Sequence, residues 1–131
     1  MKPIFLLSLI FILFSCSSSK NMNTKNKTIN DDPRYGYSQV NPIKVGGAMK
    51  GEGPAREREY LNSLTGMNGE PVSFFHLGSC CPFETDNSGM GMGMLDRYSV
   101  TYEGKEDSVV LYINMYDEDV QYAPEGFKFR M

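Results

Sequence analysis

The stretch YSVTYEGKEDSVVLYINMY, from Tyr98 to Tyr116, decides the fold. Tyr98, Val100 and Tyr102 alternate with Ser99 and Thr101, the period-two pattern of a half-buried strand. Val109, Leu111, Ile113 and Met115 form one face of a second strand, with Val110, Tyr112 and Tyr116 opposite. Gly104-Lys105-Glu106-Asp107 between them suits a short hairpin loop. Upstream, Val72 to Cys81 is rich in β-formers, with Val72, Phe74 and His76 on one face and Phe75 and Leu77 on the other. Gly53-Pro54 opens the one convincing helix, Pro standing in its first turn, and Gly66 closes it. Its Tyr60, Leu61 and Leu64 make a narrow apolar stripe. Tyr35 to Val45 is expected to be extended, since Pro42 forbids a helix interior and Gly46-Gly47 ends the segment. The tail after Asp117 is polar, with Phe127 and Phe129 expected to fold back. These elements predict an α+β domain: one short helix packed on an antiparallel β-meander of three to four strands.

The chain has 131 residues, 40% hydrophobic and 22% charged, the composition of one small globular domain. Its first 15 residues read as an export signal. Lys2 supplies the cationic start, and Ile4 to Phe14 is apolar apart from Ser8. A helix over that stretch reaches only about 17 Å, roughly half the hydrocarbon thickness, which is too short to span. Leu13-Phe14-Ser15-Cys16 resembles the lipobox cut by lipoprotein signal peptidase, so Cys16 is expected to be the lipid-bearing first residue of the mature chain. Each buried CH₂ of an acyl chain contributes about 0.8 kcal/mol, and two or three chains anchor stably. Residues 16–33 are then the lipidated cysteine and a tether, too poor in apolar side chains to fold, with a root-mean-square reach of roughly 23 Å. Residues 34–131 form the single domain. By resemblance to lipoprotein sorting rules, Ser17 in place of Asp points to the outer membrane, facing the periplasm. Without Lys2 the mature chain has 12 Lys and Arg against 16 Asp and Glu, a balance unsuited to nucleic acid.

Cys80-Cys81 is the first candidate for chemistry. Neighbouring Cα atoms lie about 3.8 Å apart, short of the usual disulfide range, so a bond between them would be strained and easily reduced. A bond to another molecule and a pair of buried thiols are the alternatives. Met90, Met92 and Met94, with these cysteines and His76, form a soft-ligand set suited to Cu(I), against the plainer reading of Met side chains covering an apolar patch. Residues from Glu84 to Gly89 carry alternating oxygen ligands but lack the bidentate Glu of a calcium loop, since Leu95 stands there. His76, Glu84, Asp96 and Arg97 are the groups available for acid–base work, with Asp96 and Arg97 expected to form an ion pair. Phosphate-loop, nucleophile-elbow and zincin motifs are absent from the sequence.

Through Tyr35-Gly36-Tyr37, Asn41 to Gly47, Gly78-Ser79-Cys80-Cys81-Pro82-Phe83, Leu95-Asp96-Arg97-Tyr98 and Leu111 to Asp117, the chain resembles a family of small Gram-negative lipoproteins of unknown function. Many members carry the automatic name 2-dehydro-3-deoxyphosphooctonate aldolase. That enzyme is a (β/α)₈ barrel of around 250 residues, which fewer than a hundred folded residues with one helix cannot build. Its sugar-phosphate chemistry is cytoplasmic, whereas this chain carries an export signal. The resemblance therefore implies a small envelope lipoprotein and lends no catalytic residues. The expected function is a non-enzymatic accessory domain without a cofactor, anchored to the membrane by lipid and bound to another envelope protein. A thiol-redox or Cu(I) protein centred on Cys80-Cys81 is the alternative.

Overall fold

The computed structural model describes residues 30–131; the stretch expected to be an export signal, Cys16 and most of the expected tether lie outside the described residues. In chain order come β1 (Ile43–Lys44), a 3-10 turn (Ala48–Lys50), α1 (Gly53–Ser63), β2 (Leu64–Thr65), β3 (Val72–Glu84), β4 (Met92–Tyr102), β5 (Val109–Asn114) and β6 (Lys128–Phe129). The main sheet has the order β1-β5-β4-β3. β3, β4 and β5 form the antiparallel meander, while the two-residue β1 joins parallel to β5, with Ile43 opposite Ile113. The domain is α+β as expected, and its sheet is mixed.

Local chemistry explains where element ends depart from expectation. Residues 35–41 turn instead of extending. Tyr37 N–H donates to the Arg34 carbonyl, and Gly36 adopts a φ of 79°. A side chain at Gly36 would meet Ile43 Cδ1 at 2.9 Å, so only glycine fits this approach of the turn to the sheet. The helix ends at Ser63, because Leu64 swings into an extended conformation and pairs with Phe129 of β6. At its start Gly53 lies so close to Met115 that a Cβ would stand 2.5 Å from the sulfur. The tail folds back as the two phenylalanines suggested, Phe127 against the Tyr102 ring and Phe129 against Tyr60. The β4–β5 connection runs over residues 103–108, longer than the four-residue loop expected. β4 begins at Met92, so Met92 and Met94 belong to a strand.

The core lies between α1 and one sheet face. Ile43, Val45, Leu61, Leu64, Val100, Leu111 and Ile113 are essentially inaccessible, with Tyr35, Tyr60, Tyr98 and Phe127 packed around them. Transferring such side chains from water is the dominant favourable contribution, at about 25 cal/mol per Å² of apolar surface.

Two irregularities in the β3–β4 ladder position everything that follows. The register slips once between His76 and Gly78 and again between Cys80 and Pro82. Each slip places one extra residue, Leu77 and then Cys81, against the partner strand. Strict alternation would carry Gly78 and Cys80 onto the face of His76. The first bulge reverses the parity, so Ser79 arrives there instead, opposite Asp96.

Candidate functional site

At this bulged end of the sheet, a buried carboxylate gathers side chains from two strands. Asp96 of β4 is 5% exposed. Its Oδ1 accepts a hydrogen bond from Ser79 Oγ at 2.7 Å and lies 2.7 Å from His76 Nε2. The imidazole is about half exposed and tilts against the Tyr98 ring, 5.0 Å between centroids. The Tyr98 hydroxyl in turn donates to Glu57 Oε1 of α1 at 3.4 Å.

Glu57 is the anomaly of the cluster. It is 1% exposed, and its Oε2 has no hydrogen-bond partner. Burial, helped by the negative charge of Asp96, pushes its carboxyl up to about 8. Glu57 is therefore neutral near pH 7 while sharing a site with a second carboxyl group. Burial first, and then the nearness of Glu57, raise the Tyr98 hydroxyl to about 12. The arrangement orients an imidazole from behind with an acid. It is not a nucleophile–base pair, since Ser79 donates to the carboxylate and not to His76.

Beside this cluster, Cys80 and Cys81 are bonded to each other, their Cα atoms 3.7 Å apart. Of the three states left open by the sequence, the structure has the neighbour-to-neighbour disulfide. Cys81 has a φ of 60°, the only positive value for a non-glycine among the described residues. It is also the extra residue of the second bulge.

The other sequence candidates scatter. Asp96 and Arg97 do not pair, because neighbours on a strand point to opposite faces, and Arg97 Nε is buried without a partner. Met90 is 88% exposed on its turn, while Met92 and Met94 are just under half exposed on β4. Both cysteine sulfurs are committed to each other, and His76 Nε2 to Asp96. Among the described residues no three or more His, Cys, Asp or Glu side chains converge as metal ligands. Thr85 and Asn87, from the calcium-like stretch, donate to Asp117 Oδ1, and Asn114 donates to its other oxygen. This clasp fixes the β3–β4 turn to the end of β5. Two clefts, of about 430 and 470 Å³, lie elsewhere, one beside Tyr35 and Phe127 and the other between Arg56 and Glu118.

Sequence reasoning brought His76 and Asp96 to the same short list but missed Glu57, Ser79 and Tyr98 as their partners. For Glu57 a signal existed: residues 57, 60, 61 and 64 have the spacing of one helix face, which places this acid on the inward stripe. For Ser79 the signal was weaker: its face depends on a bulge, which only the strand glycine Gly78, with a φ of 129°, hints at. No protein-family model, curated protein or solved structure matches this chain.

Proposed function

We propose that the chain is a lipid-anchored envelope protein whose domain docks onto another envelope protein instead of turning over a substrate. The observation that carries this reading is the sheet face opposite α1. There Phe75, Ser99 and Val110 stand in one cross-strand row, Phe75 62% and Val110 39% exposed. The next row places Arg97 beside Tyr112, and Leu77 protrudes 42% exposed at the first bulge. Phe, Tyr and Arg are the types enriched in protein interfaces, and an open apolar row on a sheet gains nothing from water. Acyl chains on Cys16 would hold this face near the membrane, and the tether would raise its effective concentration for a membrane-bound partner.

The test uses the full chain in intact cells, with a photo-reactive amino acid at Phe75, at Val110 or at Glu106 in the β4–β5 turn. One common adduct from Phe75 and Val110, missing from Glu106, is the expected result. Equal labelling at all three positions, or none, would refute docking through this face. Mass spectrometry of the mature N-terminus tests the anchor separately, and an unmodified Cys16 would remove it.

A further inference from the structure

The Cys80–Cys81 bond lies on β3, which is the free edge of the four-stranded order β1-β5-β4-β3. An edge strand offers its outer side to a second protein, whereas a bond in a central strand is shielded. Both cysteines are only half-buried. Their Cα separation of 3.7 Å is well below the roughly 4.4–6.8 Å at which disulfides ordinarily form, and such constrained bonds are the readily reduced ones. The backbone carries a matching constraint, since Cys81 sits in the left-handed region that L-residues avoid. Ring, positive φ and bulge coincide at one residue.

Beyond that residue the ladder continues for three pairs: Pro82 with Met94, Phe83 with Gly93 and Glu84 with Met92. Their register depends on the one-residue excess at Cys81. On the other side, Ser79 and Cys80 pair with Asp96 and Leu95. The disulfide therefore stands between the His76–Asp96–Ser79 cluster and the turn that carries Met90.

We propose that Cys80–Cys81 is a thiol–disulfide exchange site for a protein dithiol, and that its redox state sets how firmly the outer end of the β3–β4 hairpin is held. A thiolate of the dithiol attacks one sulfur. The electron pair of the Cys80–Cys81 bond leaves on the other sulfur, which takes a proton. The second thiolate of the reductant then breaks the mixed disulfide and leaves as the partner's own disulfide. Two electrons and two protons pass to Cys80 and Cys81. With the ring open, Cys81 relaxes out of the left-handed region, and the pairs beyond it lose their fixed register. This inference does not rest on the docking face: it needs only the edge, the bulge and the bond.

The experiment takes the full-length mature protein with dithiothreitol as the probe dithiol. Thiols are trapped with iodoacetamide under native conditions, and amide hydrogen exchange is followed by mass spectrometry. Expected are native alkylation of both Cys80 and Cys81 at millimolar reductant, read on their own peptide apart from Cys16, and about tenfold faster exchange over residues 92–94, with Tyr98 to Val100 unchanged. The double variant Cys80→Ser, Cys81→Ser should show the reduced pattern without any reductant. Alkylation only after denaturation would overturn the exchange site. Exchange over 92–94 that ignores reduction, or a double variant with the oxidised pattern, would overturn the coupling to the hairpin.

Discussion

The two halves of the β3–β4 ladder are built on different physics. From Val72 to His76 the strands pair residue for residue, with Phe74 opposite Val100 over the buried core. From Leu77 to Glu84 the same strands slip twice, and their inner side carries Ser79, Asp96 and Met94. Apolar burial holds the first half. Hydrogen bonds to Asp96 and Asp117 and a covalent ring hold the second, with the buried acid Glu57 at the boundary beneath Tyr98. Burial of hydrocarbon is indifferent to pH and to reductant, whereas carboxylates and disulfides respond to both. One sheet thus has a stable end and a responsive end.

The largest expected effect tests the stable end. Leu111→Ala, at a fully buried position, should cost about 2–5 kcal/mol through the lost transfer energy and the cavity left behind. Met94→Ala, at a side chain 43% exposed, should stay within about 0.5 kcal/mol. Urea unfolding of both variants checks the contrast. Comparable losses would mean that the bulged half is packed as tightly as the core.

The next effect separates the halves by pH. The Glu57 carboxyl is raised from 4.5 to about 8, so the native state binds its proton more tightly than the unfolded chain does. Its contribution to stability is then complete below the unfolded pKa and is lost as pH rises through the folded one. The wild-type Tm should fall between about pH 5 and about pH 8, and Glu57→Gln, which stays neutral, should flatten that fall. An unchanged slope in the variant would show that Glu57 is not the group responsible.

How much of this was legible in the sequence follows the same division. The period-two runs Tyr98 to Tyr102 and Val109 to Met115 predicted the strands of the stable end, since alternation reports burial directly. The helix was legible from Gly53-Pro54 and its Tyr60, Leu61 and Leu64 stripe. The responsive end was only partly legible. His76 and Asp96 could be named as acid–base groups, yet their contact with Ser79 depends on the bulge at Leu77, which reverses the parity as far as the second bulge at Cys81. Bulges leave no periodic trace, although Gly78, with a φ of 129°, stands beside the first. β1 lay inside the segment expected to be extended, but its parallel pairing was hidden for another reason. A two-residue parallel pairing is too short to show alternation, and Gly36 turns the chain just before it.

Asp117 gives a smaller effect, opposite in sign to that of Glu57. Burial alone would raise its carboxyl, but hydrogen bonds from Thr85, Asn87 and Asn114 outweigh burial and hold it below the ordinary value. Its contribution is present above the unfolded pKa and is lost as pH falls through the folded one. Asp117→Ala should cost about 1–3 kcal/mol at neutral pH by leaving three donors unpaired. The gap between variant and wild type should close in acid. A gap that persists at low pH would indicate that lost packing, not the carboxylate, accounts for the change.

The smallest expected effect on stability is the one that bears most on function. Phe74 and Phe75 are neighbours on β3, in the regular half, and point to opposite faces. Phe74 packs edge-on against the Tyr98 ring, 6.1 Å between centroids, on the core side. Phe75 stands 62% exposed on the other. Phe74→Ser should cost about 1–3 kcal/mol, since the ring is partly buried against the core. Phe75→Ser should stay within about 0.5 kcal/mol, because the exposed ring has little burial to lose. If the proposed docking holds, Phe75→Ser should nevertheless abolish the adduct formed from a photo-reactive residue at Val110, its row-mate across Ser99. Folding and docking would then separate at two adjacent residues, one face of the strand holding the core and the other held out for a partner. A Phe75→Ser protein that unfolds like Phe74→Ser would mean that the ring is already covered within the chain. The open face, and with it the docking proposal, would then have no basis.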